Sequence, residues 1–568
     1  MLKLKKVLSE KILEGIQTIN ADSGLDAAAV ADMLEYPPDA AMGDLALPCF
    51  KLSKSLRRSP VQIAEALAAA IDCDCLMKAE AVNGYLNMYI GDKHYSEGVL
   101  ADILAKGEKY GAPDFGKGKT VVLDYSSPNV AKPFHIGHLG TTVIGHSLKK
   151  LHEFAGYDCV GINYLGDWGT QFGKLIVAYR KWGSREEVEQ GGVDKLVELY
   201  VKFHNEAEND KALEDEARAE FTKLEHGDEE NLDLWRWFVD VSLAEYKQTY
   251  KLLDIEFDSY KGESFYTDKM PAQVQILREK GLLKIDDGAS IVDLEEYNMP
   301  PCLILKRDGS TLYPTRDIAA AVYRKNEYKF DKAIYVTSAG QSLHFAQWFK
   351  VVEMMGYDWH DQLVHVPYGT VSINGAKLAT RTGNVILLRD LFAQAIEKVT
   401  DIIDEKNPNL ENKKQVAEDV GVGAIIFYYL SNNRIRDINF IMEDALSFDG
   451  NTGPYVQYTY ARTCSILSKS EVKEGENKIT AQEERALLSV LSKFEEKVIE
   501  AIEAYEPSII TRYILDVAVA FNQFYHNCQI LGAEDEEVRN TRIRITKAAQ
   551  TVLGNAFGLI CLKKTEKI

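Results

Sequence analysis

The chain has no apolar run long enough to cross a bilayer. The longest, residues 420–430, falls well short of the roughly 20 residues a spanning helix needs. The opening MLKLKKVLSEKILEGIQ carries Glu10 and Glu14 and no long apolar core, so it is read neither as a signal nor as a transit peptide. Paired cysteine spacing of the zinc-binding kind is also missing. Of eight cysteines only Cys73 and Cys75 lie close, and one C-x-C pair does not make a zinc site. Scattered thiols fit a reducing, cytoplasmic compartment. There is no internal repeat and no low-complexity segment.

Net positive charge is lacking too. The 86 acidic residues outnumber the 66 basic ones, giving −20. Such a chain repels a polyanion at long range. A specific RNA held by local basic patches stays open, because screening confines these fields to about 8 Å at physiological salt.

With 568 residues, 46% of them hydrophobic, several buried cores and several domains are expected. Residues 1–110 read as a small α/β module. Within it, residues 51–71 are amphipathic and helical, broken at Pro60 with Ser59 as cap, and residues 81–90 read as a strand or hairpin. Lys51, Lys54, Arg57 and Arg58 form a basic stripe, either a solvated face or a contact for a phosphate backbone. Residues 111–387 alternate strand and helix patterns, which predicts a parallel sheet. Into them is inserted a strongly charged helical region, about 180–260, with an apolar stripe at Leu196, Leu199, Tyr200 and Phe203. In the second half, the β-type runs 289–294, 301–306, 332–337 and 364–367 are assigned to that sheet. From residue 388 the pattern is helical throughout: a stem over 388–450, then an α-helical bundle over 451–568.

One stretch is richer than the rest. An apolar run, residues 121–125, leads through Pro128 to His135-Ile136-Gly137-His138 at the start of a helix. A second run, 159–164, ends in Gly-Asp-Trp-Gly. Histidines three apart share a helix face. A helix N-terminus favours phosphate, and Gly137 lets a nucleotide approach the backbone. Two imidazoles there can donate hydrogen bonds to a phosphoryl group as it gains charge. Taken alone, H-x-G-H also fits two satisfied histidines near a turn.

The segments SSPNVAKPFHIGH, NYLGDWGTQFG, LYPTRDIA, GQSLHFAQ and LSFDGNTGPYVQYTYAR together resemble the arginyl-tRNA synthetase family of class I aminoacyl-tRNA synthetases. The resemblance runs from Pro37 to the C-terminal helices. It implies a Rossmann-type catalytic domain with a helical insertion, an N-terminal domain that contacts the tRNA and a C-terminal helical domain that reads the anticodon. It implies ATP with Mg2+, L-arginine and tRNA(Arg) as partners, activation that needs tRNA, no bound zinc, and no membrane. A monomer without an editing domain is expected.

Roles follow residue by residue. His135, Gly137 and His138 match the HIGH motif that holds ATP, and His344, Phe345 and Gln347 fit the adenosine side. The second signature, KMSKS, is matched almost literally by residues 51–55, KLSKS, but this lies before the histidine strand in another domain. The degenerate segment after the last sheet strand, Lys377-Leu378-Ala379-Thr380-Arg381, is preferred. Lys132, Lys377 and Arg381 are then the candidates for phosphate charge. Ser127, Asn129, His138 and Gln341 match positions around the amino acid. A guanidinium wants a planar carboxylate partner. Asp317, four residues after Tyr313, offers one, although an acid near a helix start is also a common cap. Tyr455, Tyr458, Arg462 and Tyr525 have the chemistry to stack on single-stranded bases. Arg539, Arg542, Arg544 and Lys547 form a further basic cluster.

His146 and Trp168 are read as packing residues. The chain departs from the family pattern at Gly140, where many relatives carry Arg, and at Tyr164, where His is usual. Two other readings stay open: another adenylate-forming enzyme on the same fold, and a catalytically silent RNA-binding relative.

Overall fold

A four-stranded parallel sheet carries the central part of the chain. The computed structural model describes residues 1–307, 309–310, 312–377 and 386–568. The sheet strands are Thr120–Asp124 (β1), Asp158–Ile162 (β2), Lys332–Ser338 (β3) and Leu363–Tyr368 (β4), in the spatial order β4-β3-β1-β2. Side chains alternate between faces. Val121, Leu123, Ile334 and Val336 enter one apolar core, while Val122, Ala333 and Tyr335 enter the other. Helix Leu139–Phe154 (α1) covers the first face. Helices Tyr313–Tyr328 (α2) and Ser342–Met354 (α3) cover the second. The chain leaves β1 toward β2 on one side, and β3 joins on the other. A crevice therefore opens between β1 and β3 at their C-terminal ends, where open α/β sheets bind ligands.

Helices Gln171–Trp182, Arg185–Asn209, Ala212–Glu225 and Glu229–Leu252 form the insertion. Leu196, Leu199 and Phe203 of the apolar stripe are buried, and Tyr200 is half-buried. The insertion is pinned to the Gly-Asp-Trp-Gly turn: Trp235 Nε1 donates to the Asp167 carbonyl at 2.7 Å, and Trp168 meets Trp235 and Phe221 edge-on or tilted.

Three expectations need correction. The runs at 289–294 and 301–306 do not join the parallel sheet. They form a separate antiparallel sheet from Leu283–Asp286, Ala289–Val292 and Cys302–Leu305. The link Asp287-Gly288 has positive φ at both residues, 45° and 80°, a hairpin geometry. Two residues cannot make the long crossover that parallel neighbours require. The region after 388 is not wholly helical: Ile438–Phe440 pairs in parallel with Val371–Ile373. Cys73 and Cys75 are joined as a disulfide rather than left as thiols.

In the N-terminal domain, Leu45–Pro48, Tyr85–Ile90 and Leu76–Val82 form an antiparallel sheet. Ser59 and Gln62 make a capping box on Pro60–Ala70. The C-terminal bundle comprises Gly453–Leu467, Gln482–Leu491, Phe494–Ala504, Ser508–Asn527 and Glu536–Leu559.

Two core histidines make stability depend on pH. His146 bonds the Tyr125 hydroxyl at 3.1 Å, and His152 Nδ1 bonds the Leu148 carbonyl at 2.7 Å. Burial holds their pKa at about 3 and about 4, well below the 6.5 of a free imidazole. The unfolded chain therefore binds more protons across that window, and stability rises with pH through it. The contribution is complete above 6.5 and is lost as pH falls toward 4. Each histidine should cost about 1.4 kcal/mol per pH unit below 6.5. The urea midpoint is expected to fall between pH 6.5 and 5, and His152→Gln should flatten that slope. Equal midpoints at the two pH values would contradict the assignment.

Candidate active site

The crevice between β1 and β3 is a cleft of about 500 Å³. Ser127, Asn129, His138, Tyr313, Asp317, Gln341, His344 and Phe345 all line it. Residues that the sequence did not single out line it too: Asp124, Glu263, Arg324 and Tyr335. So does Tyr164, noted only as a departure.

The loop after β1 is held in unusual backbone. Ser126, Ser127 and Ala131 have φ of 71°, 47° and 56°, a region non-glycine residues seldom occupy. The helix behind fixes it: Ser126 N–H donates to Thr141 Oγ1 at 3.0 Å, and Ser126 Oγ meets Thr142 and Tyr250 hydroxyls at 2.8 and 2.7 Å. Ser127 Oγ donates to Asp124 Oδ1 at 2.9 Å and accepts from the Tyr164 N–H at 3.1 Å. Asn129 is exposed beside Gly166, whose N–H donates to the Pro128 carbonyl at 3.1 Å. A Cβ at Gly166 would stand 2.1 Å from Asn129 Oδ1, so the glycine of the Gly-Asp-Trp-Gly turn allows this approach.

The two motif histidines precede α1 in a short 3₁₀ turn, Ile136–His138. His138 Nδ1 accepts from the His135 N–H at 3.2 Å, and His135 Nδ1 accepts from the Gly137 N–H at 3.0 Å. Both Nδ1 atoms act as acceptors, so in the neutral rings the proton sits on Nε2, which is free to donate. Burial, with His135 and Lys132 adding to it, holds His138 at about 3, and burial also lowers His135. The rings stand 4.0 Å apart as neutral donors at pH 7. His135, Gly137 and Lys132 lie outside the residues lining the cleft, and Lys132 is exposed.

Three carboxylates meet in the cleft. Asp124 pairs with Arg324 at 2.7 Å, and both are nearly inaccessible. Rings of Tyr164, Tyr266 and Tyr335 surround that guanidinium at 5.0, 5.8 and 5.7 Å. Burial raises the Asp124 pKa, and Arg324 opposes it. Glu263 pairs with Arg316 at 2.5 Å. Burial pushes its carboxyl up to about 7, with Arg316 pulling against it. Asp167 places Glu263: its carboxylate accepts from Ser264 N–H and Oγ at 2.8 and 2.7 Å. Asp317, in the first turn of α2, meets His344 Nε2 at 2.6 Å. Tyr313 stands at the rim, 66% exposed.

Other expected residues lie elsewhere. Gln347 does not line the cleft; its amide donates to the carbonyls of Pro300 and Pro301 at 2.9 and 3.2 Å. Lys377 lies in the short strand Ala376–Lys377, opposite Ser372. Arg381 lies outside the described residues. Ile386 and Leu388, which follow that segment, pair with the histidine turn: the Ile136 N–H donates to the Ile386 carbonyl at 3.1 Å and the Leu388 N–H to the Phe134 carbonyl at 3.0 Å. The literal KLSKS segment belongs to the N-terminal domain, apart from the cleft.

Gly140 has a physical reason. A Cβ there would meet Tyr429 Oη at 2.2 Å and Tyr368 Cε2 at 3.0 Å. The space of an arginine stem is filled by two tyrosines.

Lys51, Lys54, Arg57 and Arg58 are all exposed, with Lys51 paired to Glu35 at 2.6 Å. In the bundle, the Arg462 guanidinium sits between the exposed rings of Tyr458 and Tyr525, at 5.0 and 4.7 Å. Asn522 fixes it from below and donates to the Tyr455 hydroxyl at 2.9 Å. The C-terminal basic cluster is largely structural. Arg544 is buried and donates to the Lys473 and Glu476 carbonyls, and Arg542 pairs with the fully buried Glu484 at 2.6 Å.

Aspartate 124 could have been found as a charge ending an apolar strand. Glu263 and Arg324 carry no local signal, because their role comes from distant partners.

Among the described residues no group of three or more His, Cys, Asp or Glu could hold a metal, and no helix is long and apolar enough to cross a membrane.

Residues 99–442 match the family model described as tRNA synthetases class I (R), catalytic domain. Residues 3–90 match the arginyl tRNA synthetase N terminal domain, and 456–568 the DALR anticodon binding domain. The chain is 51% identical over 550 residues to the arginine–tRNA ligase of Alkaliphilus metalliredigens, covering 96% of this chain and 97% of that one. It is 48% identical over 573 residues to that of Halothermothrix orenii, covering all of both. Its fold matches the Thermus thermophilus arginyl-tRNA synthetase with a TM-score of 0.83, over 98% and 99% of the two chains at 24% identity. A class I catalytic domain of the arginine type, flanked by both accessory domains and related in sequence over nearly its whole length, places this chain in the arginyl-tRNA synthetase family.

Proposed function

We propose that this chain is an arginine–tRNA ligase that activates L-arginine with ATP and passes the arginyl group to the 3′ end of tRNA(Arg). The observation that carries the reading is Asp317. Of the three carboxylates in the cleft, Asp124 and Glu263 each have an arginine of the protein as partner, whereas Asp317 has an imidazole. It is the acid left for a guanidinium from outside, with the Tyr313 ring at the rim to pack on its plane.

The substrate's α-carboxylate oxygen attacks the α-phosphorus of ATP and pyrophosphate leaves. The terminal ribose hydroxyl of the tRNA then attacks the carbonyl carbon and AMP leaves. Ser127, Asn129 and Gln341 orient the amino acid. The Nε2–H groups of His135 and His138 donate to the phosphoryl oxygens as charge builds there. Lys132, Lys377 and Arg381 supply cations for the triphosphate, and Mg2+ arrives with the nucleotide. Phe345 borders the nucleoside.

Residues 1–110 and 451–568 hold the tRNA on either side of the catalytic part, 111–387, with 388–450 as stem. Lys51, Lys54, Arg57 and Arg58 face its backbone, and the Tyr458–Arg462–Tyr525 sandwich, supported by Tyr455, takes unstacked bases. Activation waits for tRNA, and the enzyme works as a cytoplasmic monomer. Editing is unnecessary, because a site built to pair a guanidinium rejects analogues without one by roughly 10⁴ or more.

Pyrophosphate exchange with each amino acid, with and without tRNA, tests this. Exchange is expected for arginine alone, and only with its tRNA present. No exchange under that condition would sink the reading.

A further inference from the structure

The adenosine side is where the sequence put His344, yet its Nε2 lies 2.6 Å from Asp317 Oδ2. We propose that His344 is a positioning residue for the guanidinium end of the cleft, holding Asp317 by one oxygen and leaving the other for the substrate. This rests on the arginine reading above.

An aspartate χ2 is broad and roughly two-fold, so an untethered carboxylate must be ordered when substrate binds. Ordering it beforehand removes that cost. An imidazole N–H suits the task. It donates one hydrogen bond, fixes the carboxylate plane and, when neutral, adds no charge to compete with a guanidinium. The contrast within the cleft supports this. Arg324 and Arg316 hold their carboxylates as permanent cations. A third arginine at 344 would occupy the place meant for the substrate. A carboxylate offers about four lone-pair sites, so one bond at Oδ2 leaves Oδ1 open.

His344 is itself braced. It sits in the first turn of α3 with its ring edge-on to Phe345, centroids 5.5 Å apart. Phe345 stacks on His365 at 4.3 Å with planes 3° apart, and His365 Nε2 meets Thr337 Oγ1 at 2.8 Å. The relay ends on Thr337 at the C-terminal end of β3, so the strand end fixes the imidazole and the imidazole fixes the acid.

The test is the split between arginine and ATP. In tRNA-supported exchange, His344→Ala is expected to raise the arginine KM on the order of tenfold, with the ATP KM unchanged. His344→Gln, whose amide nitrogen can reach the Nε2 position, should restore most of the loss. If His344→Ala does not fold, His344→Asn takes its place, with a raised arginine KM and an unmoved ATP KM. A raised ATP KM with an unmoved arginine KM would return His344 to the nucleoside and overturn the proposal. So would Ala and Gln variants that behave alike. Failure of the arginine reading itself is distinguishable, because the unaltered chain would then show no arginine exchange at all.

Discussion

Asp317→Asn is expected to lower kcat/KM for arginine in pyrophosphate exchange by about 10²–10³-fold, leaving tRNA binding unchanged. The replacement keeps the size and the first-turn position on α2, so the cleft keeps its shape. What changes is sign and hydrogen-bond direction. An amide carries no charge, and its NH2 would point a donor at a guanidinium, which has only donors. Removing one partner of a desolvated, hydrogen-bonded charge pair costs about 2–5 kcal/mol, and the middle of that range gives the stated factor at 1.4 kcal/mol per tenfold. Loss of affinity for tRNA is not expected, since Asp317 lies within the catalytic cleft and the exposed Tyr458–Arg462–Tyr525 group lies in the C-terminal bundle. Filter binding of tRNA beside exchange kinetics separates the two. Undiminished arginine exchange would remove Asp317 from the pocket.

The sequence singles out Asp317 and the structure puts it in the cleft beside His344; its role there belongs to the proposed function. Its position after Pro314 gave a helix start, and the chemistry of a guanidinium asked for a carboxylate. Neither consideration alone distinguished it from a capping acid. The distinction depends on what the neighbouring carboxylates are paired with. Arg324 reaches Asp124 across 200 residues of chain and Arg316 reaches Glu263 across 53, and no local pattern encodes such pairs. Local patterns did encode Ser59 as a cap, the strand and helix around the two histidines, and the charged insertion. They failed at 289–306, where an apolar alternation fits a sheet of either kind. There the short links decide the topology: Asp287-Gly288 makes 283–286 and 289–292 an antiparallel hairpin, and residues 293–301 are too few for the crossover that would make 289–292 and 302–305 parallel. Nor does any local pattern show that the Gln347 amide turns toward Pro300. The KLSKS match shows the converse: four of five letters agree, in a domain that does not line the cleft.

Gly140→Arg, which restores the residue common in the family pattern, is expected to destabilise this chain by about 3 kcal/mol or more, on the scale of overpacking and lost core packing. It should also cost most of the activity. The ideal Cβ at 140 falls 2.2 Å from Tyr429 Oη and 2.9 Å from its Cζ, so a small swing of the hydroxyl does not suffice. The whole ring must leave. Tyr429 is buried on helix Lys413–Leu430, and Tyr368, which closes β4 and lines the cleft, stands 3.0 Å away on the other side. Moving Tyr368 disturbs the lining of the cleft. Tyr429→Ala alone should also destabilise, by about 3–5 kcal/mol through the cavity it leaves. The double variant is the informative one. If the glycine and the tyrosine exchange volume, Gly140→Arg combined with Tyr429→Ala should be less unstable than the two single costs added, by about 0.5–3 kcal/mol, the range seen for residues in direct contact. Thermal unfolding of the four proteins completes the cycle, and strict additivity would show that the close approach carries no energy. The chemical consequence is separate from the packing. With a tyrosine hydroxyl where an arginine stem would run, no cation reaches the cleft from position 140. Under the proposed function the charge of the triphosphate is then left to Lys132 and the Lys377 and Arg381 candidates; the residues that follow them, Ile386 and Leu388, are hydrogen-bonded to the histidine turn.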